Sequence, residues 1–278
     1  MIEVSPIGLG TNNFGRRIDL ARAREVVDAA LESGVTHLDT ADIYGDGDSE
    51  RFLGEILEGR RGEAFVATKF GHTPTPGGGG SPDYVPKALD ASLARLGTDY
   101  VDLFYYHRPD GMTPMAETVG AMNELVAAGK VRHLGVSNVD AAQLREAVGA
   151  APIAVAQNEY SLLKRGADDE VLPACRELRV GFVPYFPLAS GLLTGKYRRG
   201  EPAPDGTRLA GQEIADETFD QIEELERSAH ERGLTLLELA IGELLDVPGV
   251  VSVIAGATTP EQVRANAAAG RHLLQRSM

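Results

Sequence analysis

The chain has 278 residues, 43% of them hydrophobic and 24% charged, one cysteine and a formal net charge of −14. That apolar share excludes a disordered chain, the lone Cys175 excludes a disulfide scaffold, and the length sits near the roughly 250 residues of one eightfold α/β barrel. The acidic balance argues against nucleic acid and anionic membrane as partners, since both need clustered Lys and Arg to neutralise phosphates.

Residues 1–6 lack a basic stretch followed by an apolar one, and no apolar run approaches the ~18 residues of a membrane span. A cytoplasmic location is the expectation. Cys175 has no Cys or His neighbour at metal-ligand spacing, so it reads as an interior helix residue, and no metal site is expected.

Short apolar, often β-branched runs alternate with amphipathic stretches from end to end. This points to repeated βα units around a parallel sheet, a (β/α)8 TIM barrel forming one domain over 1–278. The first strand reads as 7–10. A helix over 19–33 follows, with Leu20, Val26, Val27, Ala30 and Leu31 on one stripe and Gly34 as its stop. Strands at 36–39, 64–69 and 101–107 come next, and a helix over 86–96 stops at Gly97. A helix over 115–128 stops at Gly129, a strand spans 133–137, and a helix over 141–148 stops at Gly149. The remaining strands read as 154–157, 181–185 and 251–255, with Thr259-Pro260 opening a last helix. Each strand is expected to be followed by a helical pattern.

Two loops exceed the usual connection length: 71–81, where 77–80 are all glycine, and 197–212, rich in Gly, Pro and Arg. Both follow strands, on the face where barrel enzymes place their chemistry. Lys196, Arg198, Arg199 and Arg208 form a basic patch there, either a site for an anionic cofactor or a solvated loop. A doubly wound dinucleotide fold is the rival architecture, but Gly8-Leu9-Gly10-Thr11 does not match its G-x-G-x-x-G fingerprint.

Asp39, Tyr44, Lys69 and His107 fall at or just past the ends of strands two, three and four, aimed at one pocket. Singly, such residues serve as a cap, a rim aromatic, a surface cation and a core imidazole. Together their chemistry fits. A phenol titrates near pH 10, so Tyr44 needs a cation such as Lys69 to lower its pKa, with Asp39 holding that ammonium charged. His107 is placed to hydrogen-bond the same oxygen or a substrate carbonyl. A Schiff-base role for Lys69 is the competing chemistry, and it requires a desolvated lysine free of Asp39.

Asp39-Thr40-Ala41-Asp42-Ile43-Tyr44-Gly45, followed by Gly47 and Ser49-Glu50, resembles the active-site segment of the aldo-keto reductase family. Lys69 in Ala67-Thr68-Lys69-Phe70 and His107 after Leu103-Phe104-Tyr105-Tyr106 match the other members of its catalytic tetrad. The resemblance implies NADP(H) as cofactor, with NAD(H) as the variant, and a small-molecule carbonyl or sugar as substrate. It further implies that Gly10, Thr11 and Asn12 approach the nicotinamide, that Ser137, Asn138 and Gln157 bind its carboxamide, and that Tyr185 stacks on the ring. Pro187, Leu188, Gly191 and Lys196 resemble the pyrophosphate loop, and Arg208 matches a basic residue of the covering loop. Gly256, Thr258, Gln262 and Asn266 match the segment that binds the adenosine end.

Phe186 replaces the hydroxyl residue common after the stacking tyrosine, and no Lys or Arg occupies 256–262, where NADP-preferring members often carry one. Arg208 and Arg264 are the candidate substitutes. The implied activity is hydride reduction of an aldehyde or ketone with Tyr44 as proton donor. Its alternatives are the reverse dehydrogenase reaction and a cofactor-sensing, non-catalytic subunit. Asp42 and Arg108 are candidates to read substrate hydroxyls or carboxylates. Monomer is the family's usual state.

Overall fold

The computed structural model describes residues 2–72 and 77–274. Residues 73–76 of the expected 71–81 loop lie outside the described residues, as do Met1 and 275–278. Eight parallel strands close into a barrel in sequence order: β1 (Ile7–Gly10), β2 (His37–Asp39), β3 (Phe65–Phe70), β4 (Val101–Tyr106), β5 (Val131–Ser137), β6 (Ile153–Glu159), β7 (Gly181–Tyr185) and β8 (Val253–Gly256). β1 bonds to both β2 and β8, with Gly10 opposite Asp39 on one side and Gly256 on the other.

The helices between them form where an apolar stripe meets a cap. α1 (Leu20–Glu32) starts at Asp19, whose carboxylate accepts from the Arg22 amide, and buries Ala23, Val26, Val27, Ala29 and Ala30. α2 (Asp48–Ile56), α3 (Val85–Leu96) and α4 (Met115–Ala127) follow β2, β3 and β4. α5 (Ala141–Ala150) opens on a reciprocal cap between Asp140 and Gln143. α6 (Val171–Leu178) carries Cys175, fully buried as expected.

Two helices, not one, separate β7 from β8: α7 (Asp216–Glu231) and α8 (Leu236–Leu245). α7 buries Phe219, Ile222 and Ala229 and sets half-buried Leu225 on the same stripe. α9 (Pro260–Leu274) opens directly after β8. Among the described residues no helix is long and apolar enough to cross a membrane.

Strand eight begins two residues later than the 251–255 read from the sequence. The reason is its seam with β7: the Phe182 amide donates to Gly249 O and the Val251 amide to Phe182 O, outside the β1–β8 ladder that starts at Val253. Only Tyr185 and Ile254 pair within the β7–β8 ladder itself.

Alternation along each strand sorts residues into two cores. Leu9, Leu38, Val66, Phe104, Val136, Ala156, Phe182 and Val253 face outward onto the helices. Ala67, Leu103, Tyr105, Val155, Val183 and Ile254 fill the barrel interior. That interior is tight. A Cβ on Gly8 would stand 2.4 Å from Ile254 Cδ1 and 3.0 Å from His37 Nδ1, so the strand approaches its neighbours only as glycine.

Candidate active site

The same alternation carries one step further toward the C-terminal end of each strand. Inward Ala67 is followed two residues on by Lys69, Tyr105 by His107, Val155 by Gln157 and Val183 by Tyr185. Gly10, Asp39, Ser137 and Gly256 complete the ring at the ends of β1, β2, β5 and β8. Asp39, His107, Gln157 and Tyr185 line a cavity of about 610 Å³ with Tyr44, while Lys69 lies buried beneath it.

Tyr44 opens a one-turn helix, Tyr44–Gly47, between β2 and α2. Lys69 Nζ donates to Asp39 Oδ2 at 2.5 Å, to Thr40 O at 2.8 Å and to Tyr44 Oη at 3.5 Å. All three ammonium protons are thus directed. Asp39 Oδ1 accepts from Gln157 Nε2 at 2.9 Å, so both carboxylate oxygens are also held. The Lys69 and Asp39 side chains are 1% and 3% exposed.

Burial works against the Lys69 ammonium, yet the charges of Asp39 and Tyr44 and their hydrogen bonds carry its pKa above the usual value. This is a charged lysine locked in an ion pair, the opposite of what a Schiff-base nucleophile requires. Tyr44 corrects an expectation. Lys69 does pull the phenol down, but burial outweighs it, and the net shift is upward. In this cavity Tyr44 is a firmly protonated acid. Burial, followed by the charges of Lys69, His72 and Arg108, pushes His107 down to about 2, so its imidazole is neutral. His107 Nδ1 is buried without a hydrogen bond among the described residues.

The amide-bearing residues expected at the nicotinamide hold one another. Ser137 Oγ donates to Gln157 O at 2.7 Å, Asn138 Nδ2 donates to His107 O at 2.9 Å, and Tyr185 Oη donates to Asn138 Oδ1 at 2.7 Å. Asn138 does so at φ 56°, a left-handed conformation that costs a non-glycine residue about 1–3 kcal/mol. Phe186, Ala189 and Ser190 share positive φ in the loop after β7. Asn138, Phe186 and Ser190 line the cavity, so three of the six left-handed non-glycine residues among the described residues stand on its wall.

A nicotinamide dinucleotide fits this donor set. A Cβ on Gly191 would stand 2.7 Å from Lys196 Nζ, so bare backbone there lets the ammonium reach across the loop. Arg208 Nη2 donates to Asn12 Oδ1 and Asn13 Oδ1, each at 3.4 Å, and Arg17 donates to Gly206 O. Burial first, then the Arg17 cation, holds Arg208 below its usual pKa. Neither guanidinium forms a salt bridge among the described residues, which leaves two adjacent positive charges for an anion. Gln262 Oε1 accepts from the Thr258 amide at 2.8 Å and ties the end of β8 to the first turn of α9.

The structure brings nearly all the expected cofactor residues to this cavity: Gly10, Asn12, Ser137, Asn138, Gln157 and Tyr185 on one side. Pro187, Leu188, Gly191, Lys196 and Arg208 line the next wall, and Gly256, Thr258, Gln262 and Asn266 the last. Thr11 is the exception. It is fully buried, bonding Asp39 O at 3.0 Å and Ser49 Oγ at 2.7 Å, because neighbours on an extended chain face opposite ways.

The basic patch also divides. Lys196 and Arg208 face the cavity, while Arg198 pairs with Glu226 and Arg199 with Asp216, Asp220 and Glu223 of α7. Arg264 faces Glu32 at 3.7 Å rather than the cavity. Asp42 does not line the cavity, and its Oδ1 is buried without a hydrogen-bond partner among the described residues. Arg108 does line it, and so do Arg17 and His72, which the sequence reading missed because irregular loops carry no periodicity.

The model of the Aldo/keto reductase family matches residues 6–278, and the chain belongs to that family. It is an NAD(P)H-dependent oxidoreductase. A probable voltage-gated potassium channel subunit beta of Arabidopsis thaliana is 35% identical over 286 residues, covering 95% of this chain and 87% of that protein. Aldo-keto reductase yakc (NADP(+)) of Schizosaccharomyces pombe is 36% identical, covering 82% and 74%. The solved structure of a glycerol dehydrogenase from Gluconobacter oxydans aligns with a TM-score of 0.84 at 27% identity, covering 98% of this chain and 92% of that one.

Proposed function

We propose that the protein reduces an aldehyde or ketone group of a small molecule with NADPH, Tyr44 delivering the proton. The observation that carries this reading is the Lys69 ammonium, held by Asp39 and Thr40 O and directed at Tyr44 Oη. When bound, the nicotinamide nucleotide supplies a hydride to the carbonyl carbon. Tyr44 gives its Oη proton to the oxygen as negative charge grows there, and the adjacent ammonium stabilises the phenolate left behind. Neutral His107 donates a hydrogen bond to the same oxygen and orients the carbonyl. Tyr44 regains its proton from water as the alcohol leaves.

Ser137, Asn138 and Gln157 hold the carboxamide, Tyr185 supports the ring, and Lys196, Arg17 and Arg208 meet the phosphates. The two unneutralised arginines support NADP over NAD, as does the cofactor in the name of the fission-yeast relative. Titrating NADPH and NADH by fluorescence, with turnover of a reactive aldehyde read as loss of reduced-nicotinamide absorbance, tests this. NADPH is expected to bind more tightly, and the margin to shrink in Arg208→Ala. Equal binding of both cofactors would overturn the NADP assignment.

The glycerol dehydrogenase likeness favours a second reading, the same residues working in the oxidative direction with Tyr44 as base. Aldose oxidation at about pH 8–9 against aldehyde reduction at about pH 6–7 on matched substrates separates the two. Tight NADPH binding with no turnover over a broad carbonyl panel would instead establish the sensing role suggested by the plant channel-subunit relative.

A further inference from the structure

We infer that the cavity mouth carries an oxyanion site centred on Arg108, which selects carbonyl substrates bearing a carboxylate or phosphate. The inference rests on the carbonyl-reductase reading above and names the substrate class of the same cavity. Arg108 directly follows His107 at the end of β4, and it is exposed. It lines the central cavity beside Tyr44 and His72, and it also lines an adjoining cleft with Asn158, Lys164 and Tyr185.

Position separates this cation from those assigned to the nucleotide. The barrel closes in the order β1 to β8, so β4 stands across the mouth from β8. Lys196, Arg208 and Arg17 belong to the loops after β7 and β1, on the far side. A cofactor held by them leaves Arg108 on the substrate side.

Charge makes the position informative. In a chain of net charge −14, Arg108 has no hydrogen bond or salt bridge among the described residues, although acids lie close by in sequence and in the cleft. Each of those acids is committed elsewhere. Asp110 accepts from the amides of Gly80, Met112 and Thr113, each at 2.8 Å, and from Thr113 Oγ1 at 3.1 Å. Glu159 pairs with Lys164 at 2.6 Å. Asp140 caps α5 by accepting from the Gln143 amide at 2.8 Å.

The guanidinium is therefore left to a ligand, with paired N–H groups suited to a planar carboxylate or a phosphate face. Its charge is felt at the reacting end of the cavity. After burial, Arg108 is the influence that lowers the His72 pKa, and it contributes to lowering His107. His72, its ring 4.8 Å from that of His107, is a neutral polar neighbour for the same anion. A substrate with its carbonyl oxygen at Tyr44 and its oxyanion at Arg108 would bridge the two.

The test compares 4-carboxybenzaldehyde with its near-isosteric neutral partner 4-formylbenzamide, and glycolaldehyde phosphate with glycolaldehyde, on wild type, Arg108→Lys and Arg108→Gln. One charge-assisted contact predicts a kcat/KM ratio of anionic over neutral partner of about tenfold or more in wild type. The ratio should be partly kept in Arg108→Lys and fall toward one in Arg108→Gln. Which pair shows the larger ratio tells carboxylate from phosphate.

A ratio near one in wild type, or one untouched by Arg108→Gln, overturns the oxyanion site while turnover of the neutral aldehydes leaves the reductase reading in place. Calorimetric titration of the same compounds in the presence of NADP⁺ reads the site without turnover. An anion preference in binding that Arg108→Gln abolishes would support the site even if no carbonyl were reduced, and in that case the reductase reading is what falls.

Discussion

Removing the Lys69 ammonium tests the energetics on which the site is built. In Lys69→Met the Asp39 carboxylate stays buried at 3% exposure, loses its partner at 2.5 Å, and keeps only the Gln157 amide at 2.9 Å. Breaking a buried pair by deleting one member costs about 3–5 kcal/mol, most of it the unpaired charge left behind. The surviving Gln157 bond places the expected loss near the lower end, about 3 kcal/mol. With a urea slope of about 3 kcal/mol per M for a chain of this size, the unfolding midpoint should fall by about 1 M. Asp39→Asn alone strands the ammonium and should cost a comparable amount.

The double variant Asp39→Asn/Lys69→Met removes both charges and should recover most of the loss, since replacing a buried pair with neutral groups is often close to neutral. Equilibrium urea unfolding of the four proteins by circular dichroism measures the coupling directly. A double variant that loses the sum of the two singles would refute the reasoning, because Lys69 would then not be held by Asp39.

Other expectations follow from burial and packing. Burial, then the Glu50 charge, raises Asp42 from 3.8 to about 6. The folded state therefore binds this proton more tightly, and stability present below 3.8 is lost as pH rises through about 6, by at most about 3 kcal/mol. Thermal melts of Asp42→Asn should show a gain over wild type near pH 8 that vanishes near pH 4. His37 has the opposite sign: burial lowers it from 6.5 to about 4, so its stabilisation is present above 6.5 and lost as pH falls through about 4. His37→Gln should reduce the acid-induced loss over that window by about 3 kcal/mol, read from denaturant midpoints at stepped pH. Gly8→Ala sets a methyl against Ile254 Cδ1 and should cost about 1–3 kcal/mol, relieved by adding Ile254→Val, which removes that atom.

The barrel was legible because its strands are short, apolar and regularly spaced, and because period-two alternation carries straight into the site. Lys69, Gln157 and Tyr185 lie two residues beyond the inward-facing Ala67, Val155 and Val183. What escaped the sequence depends on direction and depth. Thr11 is adjacent to two cavity residues yet faces Ser49. Arg198 and Arg199 lie close to Lys196 in sequence but turn to the acids of α7, and which cation of a loop meets the cavity and which meets a neighbouring helix is decided by tertiary placement that residue spacing does not encode. The sign of the Tyr44 shift needed the depth of its burial, which outweighs the lysine that residue order placed beside it. His72 and Arg17 sit in loops where spacing carries no signal.

The most direct measurement is NADPH binding and aldehyde turnover in Tyr44→Phe beside wild type. The variant should bind NADPH within about twofold of wild type while kcat/KM falls by about 10²–10⁴, the range of a lost general acid. Turnover by Tyr44→Phe at the wild-type rate would contradict the assignment of the proton to Tyr44, and failure of wild type itself to bind a nicotinamide nucleotide would contradict the cofactor reading as a whole.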